Sequence, residues 1–174
     1  MRLFIAVDMP EGLKKRAAEL QKGLPEEGIK KVTPPHMHFT LKFLGDVSEK
    51  GLGKVIEALE KVDFSPFKVT LRGVGVFPSE QYIRVIWVGA KSSGMQALAG
   101  KVNDALEGIF LKTEFTPHLT IARVKKKVAV SEFLAEYKNM ELGKYEVGEF
   151  YLVQSVLGPG GPKYTTLAKF EAKQ

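Results

Sequence analysis

The chain opens on an almost wholly apolar run, Arg2–Asp8 (RLFIAVD), stopped by Pro10. A short apolar run bounded by a breaker predicts a buried strand. The period then lengthens. Leu13, Ala17 and Leu20 recur three and four residues apart within Glu11–Lys22, which predicts a helix with one apolar face. Turn residues at Gly23–Gly28 lead to a short strand at Ile29–Val32. From Met37 to Leu44 the period is two, with Phe39, Leu41 and Phe43 on one face and His38, Thr40 and Lys42 on the other. Ser48 is placed to cap a helix reaching Lys61, whose stripe is Leu52, Val55, Ile56 and Leu59. Two strands follow, Phe67–Phe77 and Gln81–Val88, parted by the Pro78-Ser79 turn.

The second half reads in the same order. Ser93–Leu106 is helical, with Met95, Leu98, Val102 and Leu106 on one face. Phe115–Val124 is a strand, and Ser131 is placed to cap a helix reaching Asn139. Tyr145–Leu157 reads as one long strand and Lys163–Glu171 as the last, with a turn at Gly158–Pro162 between them. A shift of about 80 residues lays one half on the other: strand falls on strand, helix on helix, and His38-Phe39-Thr40 on His118-Leu119-Thr120. The expected architecture is α+β and bilobal. Two pseudo-twofold-related lobes of mostly antiparallel sheet, with helices packed outside, would flank a central groove. At 174 residues, positions 1–174 are expected to form a single domain of two half-repeats.

Composition narrows the chemistry. There is no cysteine, which excludes a disulfide framework and Cys-based zinc sites and favours the cytoplasm. The opening lacks the basic stretch, apolar core and cleavage site of a leader, and no apolar run approaches the roughly 18 residues of a membrane span. Lys and Arg number 26 against 20 Asp and Glu, a net charge of +6. A small basic domain suits a phosphate-bearing partner such as RNA. A monomer is expected.

The chemistry converges on the paired His-x-Thr. On a strand, residues two apart project to one side, about 6.5–7 Å apart. Each copy therefore offers an imidazole and a hydroxyl to the same space. Two copies facing one groove give one group to take a proton, one to give it, and hydroxyl donors for phosphoryl oxygens. That set suits cleavage of a phosphodiester and requires neither metal nor cofactor. His36, two residues before His38, has no carboxylate at ligand spacing and reads as a surface residue at the strand entry. Lys125-Lys126-Lys127 reads as a solvated strand end or as a basic rim for a polyanion. Gly73–Phe77 (GVGVF) lacks the Lys-Ser/Thr of a phosphate loop.

HFTLKFLG (His38–Gly45) and PHLTIARV (Pro117–Val124) resemble the two signature motifs of the 2H phosphoesterase superfamily. Within it the likeness is to the bacterial and archaeal RNA 2′,3′-cyclic phosphodiesterases, long called 2′-5′ RNA ligases. The opening RLFIAVDMP and the tail LVQSVLGPGGPKYTTLAKF resemble that family's first and closing strands, so the likeness spans nearly the whole chain. It implies metal-independent hydrolysis of RNA 2′,3′-cyclic phosphate ends to 2′-phosphomonoesters. His38 would be the proton donor and His118 the acceptor, with Thr40 and Thr120 on the phosphate and Arg123 on the substrate. The residues alone are symmetric as to which histidine holds the proton. Strict alternation places Arg123 with Leu119 and Ile121, away from His118, unless the strand bends or bulges near Ala122. Lys42, on the face of His38 and Thr40, would be the alternative source of charge. A 2′-5′ ligase, a 2′-5′ phosphodiesterase and a non-catalytic RNA- or nucleotide-binding protein would use the same groove.

Overall fold

The computed structural model describes residues 1–173. Its elements, in chain order, are β1 (Arg2–Val7), α1 (Glu11–Gln21), β2 (Ile29–Lys31), β3 (Phe39–Asp46), α2 (Glu49–Glu60), β4 (Phe67–Ser79), β5 (Tyr82–Lys91), α3 (Ser93–Ala105), β6 (His118–Val124), α4 (Ser131–Tyr137), β7 (Glu141–Val147), β8 (Glu149–Gly158) and β9 (Gly161–Glu171). A 3-10 turn at Pro34–His36 delivers the chain into β3. The strands form two antiparallel sheets, ordered β3-β1-β8-β9 and β2-β6-β5-β4-β7.

The expected bilobal α+β architecture is present, but the lobes are not the half-repeats. With the offset of about 80, β1 corresponds to β5, β3 to β6 and β4 to β8. Yet β4 pairs with β5, and β8 pairs with β1. Each half therefore sends its later strand into the other half's sheet. The exchange makes each half complete the hydrogen-bond ladder of the other, so neither sheet closes on one half alone. The run expected as a single strand, Tyr145–Leu157, is two for this reason. The chain leaves the β4–β7 ladder, turns at Gly148 and re-enters beside β1.

Alternation along β1 explains why it is buried throughout. Leu3, Ile5 and Val7 enter the main core with Phe39, Phe150 and Leu152. Phe4 and Ala6 point the other way and join Val153, Tyr151 and Tyr164 in a small second cluster. The helices add their stripes to the main core: Leu13, Ala17 and Leu20 from α1, Val55 and Leu59 from α2, Met95, Leu98 and Val102 from α3. Each Leu, Val or Met among them contributes roughly 1.5–3 kcal/mol on full burial. Ser48 caps α2 as expected, its hydroxyl accepting from Gly51 N–H at 3.0 Å. Ser131 is the first residue of α4 rather than its cap, which is Val130. On β4, Gly75 leaves room for the Trp87 indole opposite it; any Cβ there would collide with the ring.

Candidate active site

Both His-x-Thr segments run into a β-bulge at the same place. Along β1 and β3, Val7 faces Phe39 and Ala6 faces Thr40, but Ile5 faces Lys42, so Leu41 has no partner. Along β5 and β6, Val88 faces Leu119 and Trp87 faces Thr120, but Ile86 faces Ala122, so Ile121 has none. Each bulge falls three residues after the histidine. An extra residue reverses the alternation beyond it. The fourth residue past the histidine turns to the core and the fifth turns to the face that carries the histidine.

This reversal decides two expectations. Lys42 does not share the face of His38. It is 3% exposed, and its ammonium donates to Asn103 Oδ1 at 2.7 Å, the Leu111 carbonyl at 2.6 Å and Thr113 Oγ1 at 3.1 Å. Burial pulls its pKa below the ordinary lysine value, and the three oxygens satisfy all three of its protons. Lys42 is thus a tie between β3 and the 111–113 loop, with no proton left for a phosphate. Phe43 takes the exposed place instead, at 73% exposure. Arg123 moves the opposite way. The Ile121 bulge brings it to the face of His118 and Thr120, opposite Lys30 of β2.

The two sheets approach each other beside these faces. The Arg123 charge lowers the pKa of Tyr164, working against the burial that raises it, and the Lys30 ammonium reaches the Gly161 turn. Tyr164 in turn lies edge-on to the His38 ring at 5.5 Å. A pocket of about 200 Å³ opens on the His38 side, lined by Ala6, His38, Tyr151, Tyr164 and Thr166, and His118 is not among its walls. A larger cleft of about 580 Å³ adjoins it through Asp8 and Tyr151. Glu146, Glu149 and Glu171 line that cleft, so its potential repels phosphates. A polyanion would approach from the Lys30 and Arg123 side.

The two imidazoles differ in their surroundings. His118 is tied to the backbone two residues upstream, its Nδ1 2.7 Å from the Thr116 carbonyl. A carbonyl only accepts, so Nδ1 of His118 carries a proton and its Nε2 is the free lone pair of the neutral ring. His38 stacks on Phe4, with centroids 4.9 Å apart and planes 22° apart. Its Nε2 is 3.0 Å from Thr40 Oγ1. Burial pushes its pKa down to about 4, against upward contributions from the His36 backbone bond and the Asp8 charge. His118 meets Phe77 edge-on at 5.0 Å. His36 packs on Tyr164 at 4.7 Å, and among the described residues no group of three or more His, Cys, Asp or Glu is placed to hold a metal ion.

The model of the LigT-like phosphoesterase family matches this chain twice, over residues 7–87 and again over 88–164. The chain belongs to the LigT-like phosphoesterase family. The two matches follow the sequence repeat and cut across the sheets, since β4 and β8 have exchanged places. An RNA 2′,3′-cyclic phosphodiesterase of Archaeoglobus fulgidus is 40% identical over 176 residues, covering 98% of this chain and all of that one. A crystal structure of a Thermus thermophilus protein superposes with a TM-score of 0.87 at 32% identity, over the full length of both chains. Escherichia coli LigT complexed with 3′-AMP superposes with a TM-score of 0.84 at 26% identity, over 99% of this chain and 98% of that one.

One contributor to this LigT-like site escaped the pattern reading. Gln21 is 5% exposed, and its amide Nε2 donates to the Val32 carbonyl at 2.6 Å and to the Ile121 carbonyl at 2.8 Å. Ile121 is the bulged residue, and its carbonyl also accepts from Val32 N–H at 2.9 Å. Gln21 thus holds open the bulge that turns Arg123 toward the groove. Its trace in the sequence is the spacing Leu13, Ala17, Gln21: a polar residue four positions on along an apolar stripe.

Proposed function

We propose that this chain hydrolyses terminal 2′,3′-cyclic phosphates of RNA to 2′-phosphomonoesters, with His118 as base and His38 as acid. The observation that carries this reading is the repeated station: histidine, threonine and bulge at matched places on two strands, with one guanidinium added by the second bulge. Nε2 of His118 takes a proton from water as the water oxygen bonds to phosphorus. The bond from phosphorus to O3′ breaks, and His38 delivers its proton to O3′. Thr40, Thr120 and Arg123 take the non-bridging oxygens, where charge builds in the transition state.

The buried setting of His38 adds a condition. A ring whose pKa is near 4 is neutral in the free protein at pH 7. The incoming phosphodiester anion supplies the charge that favours the protonated ring, so His38 gains its proton together with the substrate. Until then Thr40 occupies its Nε2. None of these steps uses a metal ion or a cofactor, and turnover is expected to persist in chelator. The lack of cysteine and the RNA substrate support action in the cytoplasm, by a monomer. No helix among the described residues is long and apolar enough to cross a membrane.

The test is product analysis on a short RNA ending in a 2′,3′-cyclic phosphate, with and without a 5′-hydroxyl acceptor. A 2′-phosphomonoester in both reactions is expected, because water at roughly 55 M competes with any acceptor unless the site excludes it. A 3′-monophosphate product, or joining without opening, would contradict the reading.

A further inference from the structure

Each imidazole meets an aromatic ring, but the two rings come from places that the repeat does not match. Phe4, stacked on His38, lies on β1, the strand beside β3. The matching place on β5 holds Arg84. The ring that meets His118 is Phe77, which comes from β4, on the far side of β5. We propose that Phe77, seated on Trp87, is a positioning residue that fixes the His118 imidazole for proton transfer. This rests on the function proposed above and deepens it, from which group is the base to what aims that group.

Three observations carry it. The hydrogen bond of Nδ1 to the Thr116 carbonyl fixes one atom of the His118 ring but leaves the ring free to turn about that bond. Thr116 lies outside every helix and strand, so that carbonyl is itself on a loop. Phe77 supplies the missing constraint. Its ring lies 5.0 Å from the imidazole with the planes 84° apart, which blocks the remaining rotation. Phe77 is held in a ladder, facing Val85 of β5, and a strand places a group more precisely than a loop does. The sheet is also cleared for these rings. Gly75 faces Trp87, and any Cβ there would collide with the indole. Gly89 faces His118 in the next ladder, and a Cβ there would stand 3.4 Å from the indole. With both positions bare, the indole spans the space above them and backs Phe77 at 5.3 Å. Finally, Trp87 keeps its place at a cost. Its Nε1–H is buried and has no hydrogen-bond partner among the described residues. An unpaired buried donor is unfavourable, and a phenyl ring at that position would avoid it. A local cost of this kind is kept where function needs it, here the reach of the larger ring to Phe77.

The experiment measures opening of cyclic-phosphate RNA by wild-type protein, Phe77→Leu, His118→Ala and the double variant. Phe77→Leu should lower kcat by roughly 10- to 100-fold, the scale of a misaimed catalytic group, and leave KM nearly unchanged. In His118→Ala the same substitution should cost nothing further, because the ring it aims is gone. Trp87→Phe should give a smaller loss of the same kind, and Phe77→Tyr, which keeps the ring, should retain most of the rate. Nitrogen NMR of the imidazoles reads the contact without turnover. Wild-type protein should show His118 as one tautomer, protonated at Nδ1. Phe77→Leu should average it with the other tautomer, as the loosened ring leaves the Thr116 carbonyl part of the time. An equal loss with and without His118 overturns the proposal, as the mark of a structural role alone. So does a loss confined to KM, or an unchanged rate with unchanged imidazole signals in Phe77→Leu. If wild-type protein opens no cyclic phosphate while Phe77→Leu still frees the His118 ring, the positioning stands and the hydrolase reading falls.

Discussion

The His38 and His118 stations share a backbone plan and differ in their surroundings. Both have an imidazole, a threonine two residues on, and a bulge at the third. One imidazole is stacked under Phe4 and depressed to a pKa of about 4. The other has a fixed Nδ1–H and a guanidinium on its own face. The repeat supplied two equivalent positions, and local burial and charge then made them unlike. Neutral rings near neutral pH are interchangeable; an acid and a base are made by what surrounds them.

The sharpest way to break this comparison is to delete each imidazole in turn. His38→Ala and His118→Ala should each lower single-turnover opening of cyclic-phosphate RNA by roughly 10²–10⁴-fold, with RNA binding largely kept. Loss from only one of the two would mean that the repeat left a single working station.

Next in size is the contrast between the cations. Arg123→Ala should lower kcat/KM by roughly 10- to 100-fold, about what one charged hydrogen bond contributes. Lys42→Met should leave kcat/KM within a few-fold and instead lower unfolding stability, by about 1–3 kcal/mol, through the acceptors it orphans. The reverse pattern would return Lys42 to the groove.

The bulge itself can be tested through Gln21. Gln21→Leu removes the side-chain donor to the Val32 carbonyl and one of the two donors to the Ile121 carbonyl. It should lower kcat/KM by about tenfold in wild-type protein and have little further effect in Arg123→Ala. Additive losses in the double variant would show that Gln21 does not act through Arg123.

The remaining contrast between the stations is read without turnover, in stability against pH. The folded pKa of His38 lies below its ordinary value, so the unfolded chain takes the proton first. Stability therefore falls as pH drops from about 6.5 towards 4, by on the order of 3 kcal/mol from this residue. The midpoint of wild-type protein should fall relative to that of His38→Gln as pH drops from about 6.5 towards 4. Parallel midpoints would place His38 in water.

Much of this was legible in the chain, for physical reasons. Period two over Met37–Leu44 and the offset to Phe115–Val124 located both stations, because one buried face writes its alternation into the residues. The same rule misplaced Lys42 and Phe43 and left Arg123 pointing the wrong way. A bulge carries no composition of its own here: Leu41 and Ile121 are ordinary strand residues. Their extra length is set by the partner strands and by Gln21, 100 positions away from Ile121. The exchange of β4 and β8 was hidden likewise, since each reads as a strand whichever sheet it joins. The depressed pKa of His38 was hidden because burial belongs to the folded chain.

The division of labour is tested most directly by changing the leaving atom. An RNA end whose cyclic phosphate carries sulfur in place of the 3′ oxygen has a leaving group that needs no proton. This substitution should restore most of the rate lost in His38→Ala and little of that lost in His118→Ala. Rescue of His118→Ala alone would exchange the two roles, and rescue of neither would contradict a two-histidine acid–base site.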